Sequence, residues 1–495
     1  MSYLLPLFVA IPLAAAFSMM LVARVHRRFT DLLGNLSMLA LLVMAVALYF
    51  VRPFNQVMIY MMGGWAAPIG INLVLDGLSH FLLLTVNLIA FLSTFYSISY
   101  MEEYNGKRKY YTLFMLMVAG MNGVVLTGDF FNLFVFLEIA AVASYSLVAF
   151  GTESEELEAS FRYFVMGTIA STLVLLAIAL IYGLTGTLNM ADVAQSFPQG
   201  AKMAKMFIAT LFIMGFGMKS ALVPFHAWLP DAHPSAPAPI SAMLSGVLIK
   251  ALGVYVLVRI IFNVFGVTPQ LSMVLMSLGV ISMLVGVLLA IGQWDFKRLL
   301  AYHSISQIGY VMLGIGLATP LGIMGGLFHL FNHALFKSLL FLNAGAVDYT
   351  VGTRELKEMG GLAKKMPVTA GTSLAASMSI AGIPPFNGFW SKLFIILACV
   401  QAGRYWFALA AVVGSLLTLA SFMKVQKYAF FETLKTKLEQ VKEAPVTMLL
   451  PMIVLALLCF GVGLAFPYVN RYFVNPAVVA VMNGLGYSKM VLGGL

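Results

Sequence analysis

The chain has 495 residues, of which 61% are hydrophobic and 10% are charged, and its formal net charge is +10. Soluble domains carry roughly 25% charged residues, so the composition excludes an ordinary soluble protein. The basic residues are distributed over short connections between long apolar runs, which argues against nucleic acid as a partner.

The apolar runs predict an all-α polytopic membrane protein, because a hydrocarbon core about 30 Å thick requires about 20 apolar residues per helix. No soluble domain fits between the runs, so residues 1–495 are predicted to form a single membrane domain. About fourteen spans are predicted, at 3–25, 32–52, 73–101, 109–128, 130–150, 160–185, 204–228, 237–262, 269–292, 299–318, 320–347, 367–397, 405–427 and 446–468.

Basic residues are concentrated on one side of this arrangement. The connections after odd-numbered spans hold most of the Lys and Arg, including Arg24 and Lys297, whereas the opposite side holds fewer, including Arg52 and Arg259. The positive-inside rule then predicts that the odd-numbered connections are cytoplasmic and that both termini lie outside. The first run, 3–25, is interpreted as an uncleaved helix because no basic stretch precedes it.

Several ionisable side chains fall inside apolar spans. Glu138, Lys219, Lys250, Lys337 and Lys392 are each several residues from the end of a predicted span. A lone lysine can extend its ammonium group to the interface. A group of this size instead indicates a path for ions or protons, because each buried charge costs several kcal/mol unless it is paired or hydrated.

Two histidines extend this pattern. His329, His333 and Lys337 recur at i, i+4 and i+8 and therefore line one helix face. Histidine titrates near neutral pH, so a hydrated stripe of these groups can pass protons. A haem or metal site on the two histidines is the alternative, but it lacks a ligand pair on a second helix. Cys399 and Cys459 also lack ligand spacing, so no cofactor is predicted.

Other acidic residues are interpreted conservatively. Glu153, Glu155, Glu156 and Glu158 form a cluster that is expected to be a solvated loop rather than a cation funnel. Asp76 and Asp129 lie at span ends, where helix capping and help with ion uptake explain them equally well.

Proline interrupts the seventh and twelfth spans. Pro224 follows Lys219 closely, and Pro384 and Pro385 precede Lys392. Proline removes a backbone donor, so both spans are predicted to be broken. Broken spans five apart in the order predict two inverted five-helix repeats, at 109–262 and 269–427. Residues 1–108 then form N-terminal helices, and residues 428–495 form a C-terminal link and last helix.

The motifs around these residues resemble a known family. They comprise 126–134 with Glu138, 219–221 with 224–233, 295–304, and 382–385 with Lys392. They resemble the antiporter-like subunits shared by complex I, Mrp cation/proton antiporters and membrane-bound energy-converting hydrogenases, over about residues 60–430. Length, Lys392 and the run 186–192 are most similar to the D-type subunits of Mrp antiporters. The segment 230–234 is closer to hydrogenase-linked or complex I relatives.

The resemblance implies a role for each buried group. Glu138 is implied to be the acid of the fifth helix, with Lys219 as its ion-pair partner and Lys250 as the central lysine. The stripe of His329, His333 and Lys337 is implied to link Lys250 with Lys392, the terminal group. Movement of the Glu–Lys pair is then expected to change the proton affinity of Lys250.

The sequence thus predicts a proton-translocating, Na⁺/H⁺ antiporter-like subunit in the plasma membrane of a prokaryote. Its expected partners are lipids, other membrane subunits of an Mrp, complex I-like or hydrogenase complex, and protons, with Na⁺ as a second candidate ion. The sequence has no dinucleotide loop or cysteine cluster, so redox chemistry is expected on partner subunits. A stand-alone secondary transporter and a quinone- or haem-binding redox subunit are the alternatives.

Overall fold

The computed structural model describes residues 2–22, 27–51, 56–198 and 200–493, and most of these residues are helical. Arg24 and Arg52, which contributed to the charge comparison, lie outside the described residues. The helices in chain order are α1 Leu7–Val22, α2 Arg27–Val51, α3 Gly77–Tyr100, α4 Lys107–Leu126, α5 Phe130–Val148, α6 Ser154–Thr185, α7 Met190–Ser196, α8 Lys202–Lys219, α9 Leu229–Ser235, α10 Ala238–Phe265, α11 Pro269–Ile291, α12 Phe296–Gly316, α13 Pro320–Val351, α14 Pro367–Ala381, α15 Asn387–Gln401, α16 Tyr405–Phe431, α17 Val446–Leu464, α18 466–482 and α19 Gly486–Leu492.

Within the described residues, eleven helices are long and apolar enough to cross a membrane, namely α1 to α6, α10, α11, α13, α16 and α17. The predicted spans 204–228 and 367–397 are not among them because their helices are interrupted. The predicted span 299–318 corresponds to α12, whose sequence includes Lys297, Arg298, His303 and Gln307. The polytopic helical class is therefore confirmed, and three of the predicted spans differ from ordinary apolar helices.

Both predicted interruptions are present. The helix α8 ends at Lys219, and helical structure resumes only at Leu229, beyond Pro224. The second interruption separates α14 from α15 and contains Pro384. A broken helix leaves carbonyl groups without intrahelical donors. Beside the first break, the Met218 carbonyl accepts from the indole Nε1 of Trp228 at 3.0 Å and from the Ala221 amide at 3.1 Å.

Two parts of the chain differ from the predicted spans. Strands β1 (Met58–Met61) and β2 (Asn72–Leu75) form an antiparallel hairpin before α3. The predicted span 73–101 therefore begins too early, since α3 begins at Gly77. The helices α18 and α19 lie beyond the last predicted span, and α18 packs against α3.

Short polar side chains fix several helix starts. The carboxylate of Asp76 accepts from the Ser79 amide in a capping box, and Asp129 caps α5 by accepting from the Asn132 amide at 2.8 Å. Capping therefore accounts for both residues. The acidic cluster lies in the first turns of α6, which begins at Ser154, so the prediction of a solvated loop was wrong for Glu155, Glu156 and Glu158.

Candidate functional site

The carboxylate of Glu138 and the ammonium of Lys219 form a loose ion pair between α5 and α8. The distance from Lys219 Nζ to Glu138 Oε1 is 3.7 Å. The Lys219 side chain is 4% exposed, whereas that of Glu138 is 34% exposed. Ser171 on α6 donates a short hydrogen bond to the same Glu138 oxygen. Lys219 Nζ has no hydrogen-bond partner among the described residues, so only electrostatic attraction holds it.

Lys250 lies at the centre of the bundle. It is fully buried on α10, at the start of a π-helical turn that runs from Lys250 to Tyr255. Its ammonium group donates to the carbonyls of Ser245 at 2.5 Å and Gly246 at 2.6 Å. No carboxylate in the described part of the chain forms an ion pair with it. Backbone carbonyls therefore provide its direct stabilisation, in a widened turn of a kind that is frequent at functional sites.

The three residues of the α13 stripe are all fully buried. His329 bonds through Nδ1 to Ser391 at 2.9 Å and through Nε2 to Gln307 at 3.1 Å. Lys337 donates a short hydrogen bond to the Leu300 carbonyl. Neither ring nitrogen of His333 has a hydrogen-bond partner among the described residues. Unpaired buried nitrogens of this kind are usually satisfied by water.

Lys392 lies on α15, just after the second interruption. Its ammonium group donates to the Ile380 carbonyl at 2.8 Å, near the C-terminal end of α14. The negative end of a helix dipole favours a cation at this place. The ring of Tyr310 lies 4.7 Å from the same ammonium group. A break in the helix thus supplies the groups that hold a buried charge.

Lys250, the α13 stripe and Lys392 form a row in the bundle interior, and α8, which ends at Lys219, packs against the π-helical turn that begins at Lys250. Lys250 interacts electrostatically with His333 and Lys337, and Lys392 interacts with His329. The ring of Phe336 on the same helix lies near both histidines, with ring centroids 6.1 Å from His329 and 5.5 Å from His333. Direct hydrogen bonds do not join the row from end to end, so proton movement along it requires water between the groups.

Two basic residues lie deeper than the sequence indicated. Lys297 was assigned to a connection, but it is 2% exposed and its Nζ lies 4.0 Å from Asp348. Arg259 was also assigned to a connection. It is 4% exposed and contacts both oxygens of Asp76, each at 2.7 Å. Both residues lie near a helix end in the sequence, where nothing local distinguishes a buried charge from a solvated one.

Two further buried histidines complete the polar interior. His233 on α9 has no hydrogen-bond partner for either ring nitrogen among the described residues. His303 on α12 bonds through Nε2 to Ser421 at 2.8 Å, while its Nδ1 has no such partner. Both belong to the motifs that carry the family resemblance. The place of His303 inside an apolar span is a signal that could have singled it out, whereas His233 lies in the run 230–235 between two predicted spans and carries no such signal.

One end of the bundle has an open, charged cavity of about 290 Å³. In the wall of the cavity, Asp231 forms ion pairs with Arg162 at 2.7 Å and with Arg298 at 3.3 Å. Arg354 also borders it, 3.3 Å from Asp295, and donates to the Pro234 carbonyl at 2.6 Å. These contacts join four separate segments of the chain at one face. Among the described residues, no group of three or more His, Cys, Asp and Glu could hold a metal ion.

Comparison with known proteins identifies the family of the chain. The family model described as "NADH:quinone oxidoreductase/Mrp antiporter, TM" matches residues 127–418, and the model described as "NADH-Ubiquinone oxidoreductase (complex I), chain 5 N-terminus" matches residues 64–111. The chain is 37% identical to the N subunit of the NADH-quinone oxidoreductase of Desulforudis audaxviator, over 92% of this chain and 95% of that protein. It is 35% identical to the D subunit of the Na⁺/H⁺ antiporter of Alkalihalophilus pseudofirmus, over 96% and 97%.

A solved structure gives the same result. A chain of the Mrp complex from Dietzia sp. superposes with a TM-score of 0.92 at 30% identity, and 99% of each chain is covered. The family model covers more than half of the sequence, and the relatives are aligned over nearly their full length. The chain is therefore a multi-pass membrane protein that belongs to the antiporter-like subunit family shared by NADH:quinone oxidoreductases and Mrp antiporters.

Proposed function

We propose that the chain translocates protons as an antiporter-like subunit of a multi-subunit respiratory or Mrp-type complex. The observation that carries this proposal is the row of ionisable groups that begins at the one-third-exposed Glu138 and continues through the buried Lys219 to Lys392. Four buried lysines and two histidines in one row would be costly as purely structural elements of a membrane bundle. A proton path supplies a reason for their presence.

The two ends of the row suit different tasks. At one end the loose contact between Glu138 and Lys219 can lengthen or close without loss of a hydrogen bond from Lys219. Removal of a nearby carboxylate disfavours a protonated amine, so this movement changes the proton affinity of the groups beyond it. At the other end, Lys392 is held by a helix terminus and can receive a proton from the histidine stripe.

We further propose a single membrane domain with fourteen spans in two inverted repeats, at 109–262 and 269–427. The broken helices α8 and α14 support this architecture, because the interruptions lie five spans apart in the predicted order. The basic odd-numbered connections support a cytoplasmic face at the charged cavity, with both termini on the outer side of a prokaryotic plasma membrane.

The exposure of Glu138 supports a protein partner at this helix face. A carboxylate that is one-third exposed on a membrane helix would contact lipid, which disfavours charge strongly. A neighbouring subunit that covers α5 with polar groups or water would remove this cost. The relatives are named as parts of an Mrp complex and of an NADH-quinone oxidoreductase, and assemblies of this kind would provide such a neighbour.

The proposal is tested by Lys250→Ala in the complete complex. We expect proton movement in membrane vesicles to fall to the background level, while the variant still assembles with its partners. Lys364→Ala is the matched control, since Lys364 is an exposed lysine on a connection. Wild-type proton movement in Lys250→Ala would show that Lys250 is not the central group.

A further inference from the structure

The second half of the bundle contains a polar file that the row above does not use. Thr369, Ser373 and Ser377 recur at i, i+4 and i+8 on α14 and are all fully buried. At the surface end, Glu443 accepts from the Thr369 hydroxyl at 2.6 Å. Deeper in the bundle, Gln426 of α16 donates to Ser373 at 3.1 Å and to Ser377 at 2.8 Å.

The file points toward His303. Ser421 lies five residues before Gln426 on α16, which corresponds to about 7.5 Å of helix rise, and its hydroxyl bonds to His303 Nε2 at 2.8 Å. His303 is fully buried and interacts electrostatically with Lys337, Lys392 and Lys424. It therefore lies between the end of the file and two lysines of the proposed relay.

Two unpaired atoms indicate that water belongs to this file. Gln426 Oε1 and His303 Nδ1 are buried and have no hydrogen-bond partner among the described residues. A buried polar atom without a partner costs free energy, and water between such atoms is the usual remedy. The side chains present both donors and acceptors, so water molecules between them would be held in a chain.

We propose that this file, from Glu443 through Gln426 to His303, is a separate proton inlet to the second half of the bundle. This inference rests on the proposed proton translocation. A proton from water at Glu443 moves along hydroxyls and water to the neutral His303 ring, which becomes an imidazolium. Once the ammonium group of Lys337 or Lys392 has passed its own proton along the relay and become a neutral amine, His303 gives one proton to that amine, and the neutral form of His303 is restored.

The inlet opens on the same face as the charged cavity. Lys435, in the connection that contains Glu443, donates a hydrogen bond to the carbonyl of Lys357, in the connection after α13. That connection also contributes Arg354 to the cavity wall. Two inverted repeats by themselves would give the halves openings on opposite faces. The file supplies the second half with protons from the first face as well.

The test uses His303→Gln and Gln426→Leu in the complete complex, in vesicles whose proton movement is followed with a pH-sensitive dye. His303→Gln keeps a hydrogen-bonding group but cannot carry a proton, and Gln426→Leu fills the file with an apolar side chain of similar size. We expect proton movement to fall about tenfold and about fivefold, respectively, a loss of about 1.4 kcal/mol or less in barrier terms.

Thr418→Val is the matched control on the same helix, because the Thr418 hydroxyl bonds only to the Gly414 carbonyl of its own helix at 2.7 Å. We expect Thr418→Val to retain wild-type transport. Acidification of the side that bears Glu443 should restore transport in Gln426→Leu, because a higher proton concentration compensates for slower proton entry. It would not restore transport in a misfolded bundle.

Lys250→Ala separates the two proposals. If Lys250→Ala is inactive and both file variants match the wild type, the inlet is wrong and the relay stands. If Lys250→Ala transports normally while the file variants lose transport, Lys250 is not the central group of the relay, and the inlet stands without it. A loss in Gln426→Leu that acidification does not change would also overturn the inlet.

Discussion

Two ion pairs in this molecule each join a carboxylate to a cation, and they are built differently. Arg259 contacts both oxygens of Asp76 at 2.7 Å, and the two side chains are 5% and 2% exposed. Lys219 approaches one oxygen of Glu138 at 3.7 Å, and Glu138 is one-third exposed. A bidentate guanidinium pair has a fixed geometry, whereas an ammonium group acts as a point charge on a flexible stem.

The difference separates a structural contact from a movable one. The Asp76–Arg259 pair joins the start of α3 to α10, and Asn263 on α10 in turn donates to the Ala480 carbonyl of α18 at 3.0 Å. This end of α10 is therefore held in place. Lys250, nine residues earlier on the same helix, has only backbone carbonyls as direct partners. In the proposed relay, a fixed anchor at one end of α10 would allow small changes at the Glu138–Lys219 pair to act on Lys250 rather than to shift the whole helix.

The largest expected effect comes from breaking the tight pair. Asp76→Ala removes the carboxylate and leaves the Arg259 charge buried without compensation, which costs about 3–5 kcal/mol. We expect a large fall in the thermal unfolding temperature of the purified complex. Arg259→Lys keeps the charge but loses the bidentate contact, so it should lower the unfolding temperature less than Asp76→Ala does. An unchanged unfolding temperature in Asp76→Ala would mean that the pair does not hold α3 to α10.

Breaking the loose pair should affect transport rather than stability. Glu138→Ala leaves Lys219 without its counter-charge, and we expect proton movement to fall about tenfold or more, or about 1.4 kcal/mol in barrier terms. The amount of assembled complex should match the wild type. Ser146→Ala, at another exposed position on α5, is the control. The comparison between the pairs would be wrong if Glu138→Ala failed to assemble but transported normally per complex.

A conservative change sharpens the same comparison. Glu138→Asp keeps the charge but withdraws the carboxylate by one methylene group. An ion pair with flexible geometry tolerates this change. We therefore expect proton movement to fall about twofold to fivefold, which corresponds to a barrier increase of less than about 1 kcal/mol. Asp76→Glu in the tight pair should instead lower the unfolding temperature, because the capping box and the bidentate contact cannot both be kept. Equal tolerance at both positions would contradict the distinction.

The tight pair also predicts a dependence of stability on pH. Burial raises the pKa of Asp76, but the adjacent Arg259 guanidinium and the hydrogen bonds from Ser79 together more than offset this, so the pKa lies below its usual value. The stabilisation is then complete above the unfolded pKa of about 4 and is lost as the pH falls through the lower folded pKa. In the wild type, we expect the unfolding temperature to decrease when the pH is lowered below about 4. Asp76→Asn should lack this component of the fall.

The smallest effect is expected at the surface. Arg162 is 55% exposed in its ion pairs with Glu158 and Asp231. Exposed pairs of this kind contribute little, because water and salt screen them. Arg162→Gln should leave transport within about twofold of the wild type in low salt, and salt should reduce the difference further. A tenfold loss would show that this cavity wall takes part in proton uptake.

Sequence alone was sufficient for the polytopic helical class and for both interrupted helices. Apolar neighbours identify Lys219, Lys250 and Lys337 as buried, because a charged side chain within an apolar membrane span has to face the interior of the bundle rather than lipid. Proline identifies the breaks by removing a backbone donor. In each case the signal is local, and one segment of chain contains all of it.

The missed features depend on partners that are distant in the sequence. Arg259 is buried because Asp76 lies beside it, and Lys297 because Asp348 does. Gln426 belongs to a polar file only because α14 packs against α16. The hairpin of β1 and β2 was not predicted, because a sequence window as long as a membrane helix does not distinguish short apolar strands from the helix that follows them. Tertiary contacts decide these positions, and no single window contains them.

Each interruption also places a tryptophan where its surroundings can be observed. Trp228 stacks on Tyr163, with ring centroids 4.2 Å apart, and Trp390 stacks on Phe466 at 5.1 Å. Their Nε1 atoms bond to the Met218 and Gly463 carbonyls. Indole emission responds to such contacts, so the molecule contains its own optical probes. A shift in the fluorescence of Trp228 during turnover, with Trp65, Trp294, Trp390 and Trp406 replaced by Phe, would report the motion of the first broken helix directly.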